Sequence, residues 1–182
     1  MTVYCVIVRN QGDSVQIERK QIFALLLAKL GLDPHQPIEK DKNGRPFLPL
    51  SPTADISLSH SDGFTVYAAG DTRLGIDMES PTAIREPQRL CRRFFTESEQ
   101  MQVETAPDIA RTVCEIWTKK EALAKYIGNG LSQNIHRDTT EPQKEIVFRS
   151  FPTTFSEKSY IITLCVHSDA HIIFLDPECF KF

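Results

Sequence analysis

The sequence carries few of the marks that identify a protein at sight. It has five cysteines, Cys5, Cys91, Cys114, Cys165 and Cys179, with no two in a C-x-x-C pair. The odd count and the scattered spacing exclude a disulfide framework and a cysteine-based zinc site. They read as reduced, mostly packed thiols of a cytosolic protein. No stretch approaches the ~20 apolar residues of a membrane span. The opening Met-Thr-Val-Tyr-Cys-Val-Ile-Val-Arg has too short an apolar run for a secretory signal and no basic segment before it, so a cytoplasmic location is expected. Positive charge is not in excess: 21 Lys and Arg face 24 Asp and Glu, for a net charge of −3. That argues against general nucleic-acid binding and leaves any anionic ligand to a local basic patch. Gly-x-Ser-x-Gly is missing, as is a glycine-rich phosphate loop. Nucleophile-elbow hydrolases and P-loop enzymes are therefore set aside. There is no low-complexity linker and no repeat.

What remains is an ordinary globular composition. The 182 residues are 41% hydrophobic and 25% charged, enough for one medium domain or two small ones. Val3 to Val8 is a β-branched run and reads as a strand. Apolar positions Ile22, Phe23, Leu26, Leu27 and Leu30 follow helical spacing within a helix over about Ile17 to Leu30, stopped at Gly31. Asn43-Gly44 signals a tight turn. Strands follow at Ile56 to His60, Phe64 to Ala69 and Leu74 to Glu79. A helix-rich stretch spans about Pro87 to Ile127, with a capping box at Thr96-Glu97-Ser98-Glu99 and a long helix over about Asp108 to Ile127. Residues 128–144 are a polar loop. Strands close the chain at Glu145–Phe151, Tyr160–His167 and Ile172–Leu175. The element order gives an α+β protein of two halves of similar design, 1–73 and 74–182, with antiparallel sheets packed by helices.

Three clusters carry chemistry. In Gly75-Ile76-Asp77-Met78-Glu79 a strand places Asp77 and Glu79 on one face and Ile76 and Met78 on the other. Two adjacent carboxylates suit a hard divalent cation such as Mg²⁺, and equally a solvated strand face. In Trp117-Thr118-Lys119-Lys120-Glu121-Ala122, Glu121 and Lys125 share a helix face at i and i+4, which also fits a plain surface ion pair. Trp117 could anchor that face against the core. In Ile56-Ser57-Leu58-Ser59-His60-Ser61 the alternation separates Ile56, Leu58 and His60 from the three serines, and His60 at the strand end could reach a phosphate or be merely structural.

Taken together, the clusters resemble the phosphopantetheinyl transferases of the Sfp type. Gly75-Ile76-Asp77-Met78-Glu79 is followed about forty residues later by Trp117-Thr118-Lys119-Lys120-Glu121-Ala122, as in that family. Gly44-Arg45-Pro46 is similar to its Gly-Lys-Pro element. Ile56 to Ser61 is similar to its Asn-Ile-Ser-His-Ser element, and Arg93-Phe94-Phe95-Thr96 with Glu99 to its Arg-Phe-Phe-Ser-x-x-Glu element. The matches run in the family's order from Gly44 to Leu131.

The resemblance implies a pseudo-twofold monomer with its active site in the cleft between the halves. It implies coenzyme A as donor, Mg²⁺ as cofactor, a serine of an apo acyl or peptidyl carrier protein as acceptor, and 3′,5′-ADP as the other product. Fatty-acid, polyketide and nonribosomal peptide synthesis are all open. On matching positions, Asp77, Glu79 and Glu121 would hold the metal. Glu121, directly or through a water, would help deprotonate the carrier serine. Lys125 would stabilise the leaving phosphate, Ser59 and His60 would contact the 3′-phosphate, and Arg45 would stand beside the nucleotide. Glu99 is near the metal in the family; here capping is its surer role. Three departures are visible. The N-terminal segment is shorter than in long members, which leaves Arg19 or Lys20 to meet the nucleotide. Arg45 replaces a lysine, and Ser57 stands where asparagine is usual.

Carriers are generally acidic, so docking calls for a basic patch. Arg89, Arg92 and Arg93 lie at i, i+3 and i+4 of an expected helix with Arg85 just before it, an arrangement that also fits a solvated helix face. Neither nucleic acid nor membrane is expected as a partner. The carboxylates by themselves would also serve a Mg²⁺-dependent nucleotide or diphosphate hydrolase, and a non-catalytic module binding coenzyme A or a carrier is a third reading.

Overall fold

The computed structural model describes residues 1–10, 15–140 and 145–176. The chain runs β1 (Thr2–Arg9), α1 (Val15–Lys29), β2 (Glu39–Lys40), β3 (Pro46–Phe47), β4 (Asp55–Ser61) and β5 (Phe64–Gly70). It continues β6 (Leu74–Glu79), α2 (Pro87–Phe94), α3 (Glu97–Glu104), α4 (Ile109–Ile127), β7 (Ile146–Phe155), β8 (Lys158–His167) and β9 (His171–Leu175). Among the described residues no helix is long and apolar enough to cross a membrane. Cys5, Cys91, Cys114 and Cys165 are buried and free; Cys179 lies outside the described residues.

Two principal sheets carry the fold. The first has the order β4-β5-β1-β9 and the second β6-β8-β7. β5 is antiparallel to β1 and β4, and β8 is antiparallel to β6 and β7. In each segment a leading strand, β1 or β6, pairs with the second strand of a later hairpin, β5 or β8. β9 lies parallel to β1, so a strand from the end of the described chain completes the sheet begun at its start.

The alternation in the strands explains the layers. Val3, Cys5, Val66 and Ala68 face Leu74, Ile76, Met78, Tyr160, Ile162 and Leu164, and these side chains fill the space between the sheets. The outer face of the first sheet presents Val6, Ile56, Tyr67 and Ala69 to Ile22, Phe23, Leu26 and Leu27 of α1. On the second sheet, Cys165 packs on Ala122 and Leu123 of α4. A satellite of Cys91, Phe95, Val103, Val113 and Ile116 seats α2 and α3 on α4.

The expected elements are present with small shifts at their ends. β7 runs on to Phe155 rather than stopping at Phe151. Pro152 does not end it because β7 is an edge strand, where a residue without an N–H is tolerated. β2 and β3 were not expected as strands; two residues each are too short to show a period. The Asn43-Gly44 turn joins them.

Candidate active site

β4 and β6 are edge strands of different sheets, joined by side chains of β4. Leu74 N–H donates to Asp55 Oδ2 (3.0 Å) and Ile76 N–H to Ser57 Oγ (3.2 Å). Ser59 Oγ donates to Asp77 Oδ1 (2.6 Å) and Ser61 Oγ to Glu79 Oε1 (2.5 Å). The polar face of β4 thus turns toward β6 and orients both of its carboxylates. His60, on the opposite face, is exposed. The three-serine alternation read from the sequence is the signal for this ladder; that its hydroxyls would meet the acid pair was not legible.

Helix α4 brings the rest. Asp108 caps its start by accepting from Arg111 N–H, and Gly128 ends it in the left-handed region at φ 85°. Its position against β6 depends on Gly75. A Cβ there would lie 2.1 Å from the Ala122 carbonyl oxygen and 2.5 Å from the Tyr126 nitrogen, so only glycine permits the strand to lie directly on the helix backbone. This contact sets Asp77 near Lys125, whose Nζ donates to Asp77 Oδ1 at 2.8 Å. Trp117 packs on Phe94 with ring centroids 5.9 Å apart, which joins the helix to α2, but it is half-buried and lines the clefts rather than sitting in the core as the sequence reading expects.

Next to Glu121, Lys120 points into the protein and is 1% exposed. Its ammonium meets Glu99 Oε2 at 2.7 Å and donates to the carbonyls of Ile135 (2.8 Å) and Arg137 (2.9 Å). Glu99 also accepts from Thr96 N–H, Thr139 N–H and Thr139 Oγ1. The capping box at Thr96 is formed on both sides. Glu99 is therefore occupied by the cap, Lys120 and Thr139. Sequence reasoning passed over Lys120, because a lysine beside a charged helix face gives no sign that it is buried.

Asp77, Glu79, Glu121, Lys125, Ser59 and His60 all line one cleft of about 390 Å³. Glu121 and Lys125 also border an adjoining cavity of about 550 Å³, whose walls carry Arg19, Lys20, Lys40 and Arg45. Acidic and basic compartments thus meet at Glu121 and Lys125. Burial, reinforced by the Asp77 and Glu79 charges and partly offset by Lys125, pushes the Glu121 carboxyl up to about 7. Among the described residues no hydrogen bond or ion pair engages that carboxylate.

Arg45 borders the basic cavity, yet its guanidinium turns to the protein: Nε donates to the Lys125 carbonyl (2.8 Å), and Nη2 meets Asp55 Oδ2 (2.5 Å) and the Leu74 carbonyl (3.2 Å). Arg85, Arg89 and Arg93 line an open groove that runs to Glu79 and Trp117, and Arg92 is exposed on the same helix. Arg89 pairs with Glu86 at 2.8 Å, and Arg93 lies over the Phe94 ring.

As they stand, no three His, Cys, Asp or Glu among the described residues form a ready metal cage. The donor chemistry still fits a hard cation. Mg²⁺ keeps several waters and takes one or two carboxylates plus phosphate oxygens rather than a closed protein cage. Lys125 supplies the positive charge next to Asp77 in this arrangement.

The family model of the 4′-phosphopantetheinyl transferase superfamily matches residues 73–172, which include Asp77, Glu79, Glu121 and Lys125. Among curated proteins, the chain is 30% identical over 99 residues to the 4′-phosphopantetheinyl transferase psf-1 of Bacillus pumilus, covering 53% of this chain and 42% of that protein. It is 30% identical over 91 residues to the 4′-phosphopantetheinyl transferase Sfp of Bacillus subtilis (strain 168), covering 49% and 40%. It is 34% identical over 70 residues to a holo-[acyl-carrier-protein] synthase of Cereibacter sphaeroides (strain ATCC 17029 / ATH 2.4.9), covering 38% and 51%. The matched stretches thus span about half the length of these relatives or less. With the family model matching more than half of its residues, the chain belongs to the 4′-phosphopantetheinyl transferase superfamily.

Proposed function

We propose that this protein transfers the 4′-phosphopantetheine group of coenzyme A to a serine of an apo acyl or peptidyl carrier protein, with Mg²⁺, and releases 3′,5′-ADP. The observation that carries the reading is the meeting of Asp77, Glu79, Glu121 and Lys125 around one cleft, beside a cavity walled by cations. The basic cavity suits the nucleotide and its phosphates, with Arg19, Lys20, Lys40 and Lys125 offering charge and Arg45 forming part of the wall. Ser59 and His60 border the acidic cleft, where His60 is free to meet the 3′-phosphate.

Asp77, Glu79 and Glu121 would hold the metal, which when bound supplies charge neutralisation on the diphosphate oxygens. Glu121, which borders both the acidic cleft and the basic cavity, is placed to receive the proton of the carrier serine, directly or through a water. The serine oxygen attacks the phosphorus bearing the pantetheine arm. The bond from that phosphorus to the oxygen bridging to the nucleotide phosphate breaks. Lys125 is the cation nearest Asp77 and would stabilise the charge gathering on the departing nucleotide phosphate.

The repeated order of leading strand, helix and hairpin supports a pseudo-twofold relation between the halves 1–73 and 74–182, with the cleft between them and a monomer as the working unit. The exposed arginines Arg85, Arg89 and Arg93, which line the groove leading to Glu79, and Arg92 on the same helix as Arg89 and Arg93 are proposed to receive the acidic carrier. A cytoplasmic location goes with this reading.

The test is incubation with fluorescent coenzyme A, Mg²⁺ and a panel of apo carriers. Label should appear on a carrier serine, and EDTA should prevent it. Asp77→Ala and Glu121→Ala should each lower turnover about 10²-fold or more with the fold retained by circular dichroism. Full activity in both variants would remove the mechanism. Release of phosphopantetheine without any carrier would favour a diphosphate hydrolase instead.

A further inference from the structure

The end of α4 is held in an unusual way. A helix leaves its last carbonyls without intrahelical partners, and here side chains from the first half of the chain take them. Arg45 Nε donates to the Lys125 carbonyl at 2.8 Å. Arg73 donates to the Tyr126 carbonyl from Nε (2.6 Å) and to the Ile127 carbonyl from Nη2 (3.0 Å). Asn43 Nδ2 donates to the Gly128 carbonyl at 2.9 Å. Four successive carbonyls are thus capped by three side chains far away in sequence.

The two arginines are themselves gathered by one buried carboxylate. Asp55 Oδ2 lies 2.5 Å from Arg45 Nη2 and 3.7 Å from Arg73 Nε, and it accepts the Leu74 N–H, while Asp55 Oδ1 accepts the Ile56 N–H. Arg45 Nη2 also reaches the Leu74 carbonyl. Gly128 leaves the space: a Cβ there would meet Arg73 Nη2 at 2.7 Å and Arg45 Cδ at 3.1 Å. Asp55 thus ties β4, the start of β6 and the C-terminal turn of α4 into one unit.

We propose that Arg45, with Asp55 and Arg73, is a positioning residue that clamps the last turn of α4 so that Lys125 stays over Asp77. This rests on the function proposed above for Lys125, and it gives Arg45 a role other than a direct nucleotide contact. The physical argument is the fork. One planar guanidinium satisfies a helix carbonyl, a strand carbonyl and a carboxylate at once, which a lysine ammonium at the end of a flexible stem cannot reproduce. A small displacement of a catalytic cation is costly to rate, whereas binding of coenzyme A, on the function proposed above, would be spread over the several cations that line the cavity.

The test compares Arg45→Lys, Asp55→Asn and the milder Arg73→Lys in the full chain. Arg45→Lys keeps the positive charge, and Asp55 does not line the basic cavity. A clamp predicts that kcat falls about tenfold or more in Arg45→Lys and Asp55→Asn while KM for coenzyme A changes less than about twofold. Arg73→Lys, at an exposed position, should fold normally and show a smaller loss of the same kind. Amide hydrogen exchange without coenzyme A gives a readout independent of turnover: the last turn of α4 should exchange faster in all three variants, with α1 unchanged. Wild-type exchange in that turn, or a rise in KM for coenzyme A with kcat intact in Arg45→Lys, would overturn the clamp. If wild-type protein labels no carrier but exchange rises as expected, the functional reading fails and the clamp stands.

Discussion

Glu121 is a site residue whose chemistry is set by its surroundings. Its carboxyl is raised from its ordinary value to about 7 by burial and by the neighbouring Asp77 and Glu79 charges. Between about pH 4.5 and 7 the folded protein therefore holds a proton that the unfolded chain has lost, so its contribution to stability falls as pH rises through that window. In metal-free protein, Glu121→Gln should match wild type near pH 4. Above pH 7 it should be more stable by about 1–2 kcal/mol, after allowing for the partial exposure of the site. Thermal unfolding at both pH values in EDTA checks this. The same variant should lose transfer activity, so a gain in stability and a loss of turnover would travel together, as expected of a site that holds like charges close. A fall in stability at high pH would contradict the electrostatic account.

At the scale of elements, two contacts decide whether the site exists. Gly75 lets β6 lie on the backbone of α4. Gly75→Ala should push strand and helix apart, lowering stability by about 3 kcal/mol or more and abolishing transfer. The comparison is by denaturant titration alongside the carrier-labelling assay. The second contact is the buried pair of Lys120 and Glu99, which fastens residues Ile135, Arg137 and Thr139 to α3 and α4. Lys120→Met leaves a buried carboxylate without its cation and should cost about 3–5 kcal/mol. Adding Glu99→Gln should recover much of that loss, because the uncompensated charge is then gone. A double variant no more stable than the single one would mean that the carbonyl contacts, not the charge pair, dominate.

The whole molecule depends on contacts between elements far apart in the chain. β9 joins the sheet of β1, the side chains of β4 reach β6, and Asn43, Arg45 and Arg73 cap α4. Its overall charge of −3 would not attract an acidic partner, so the docking proposed above relies on local charge at α2. Charge reversal at Arg89 and Arg92 should raise KM for the carrier about tenfold at low salt, leave KM for coenzyme A unchanged, and lose its effect at high salt. Steady-state kinetics at two ionic strengths decide the matter. An unchanged carrier KM at low salt would end the docking role of this patch.

Much of the local structure follows from the sequence because it is written in short-range chemistry. Leu74 to Glu79 has the bounds expected from its alternation, with Ile76 and Met78 inward. Thr96 with Glu99 forms the capping box its spacing announces, and Asp108 and Gly128 bound α4 as expected. The acid pair, Glu121 and Lys125 could be singled out by residue type and order. Tertiary structure decided the rest, since it rests on contacts between residues distant in the chain. That Ser59 and Ser61 would orient Asp77 and Glu79, that Lys120 would turn inward to Glu99, and that Arg45 would spend its guanidinium on Lys125 and Asp55 depend on which strand edge meets which helix end. Periodicity fixes the face a side chain takes within its own element. Only packing between elements fixes what that face meets, and so whether a charge is solvated, paired or poised for chemistry.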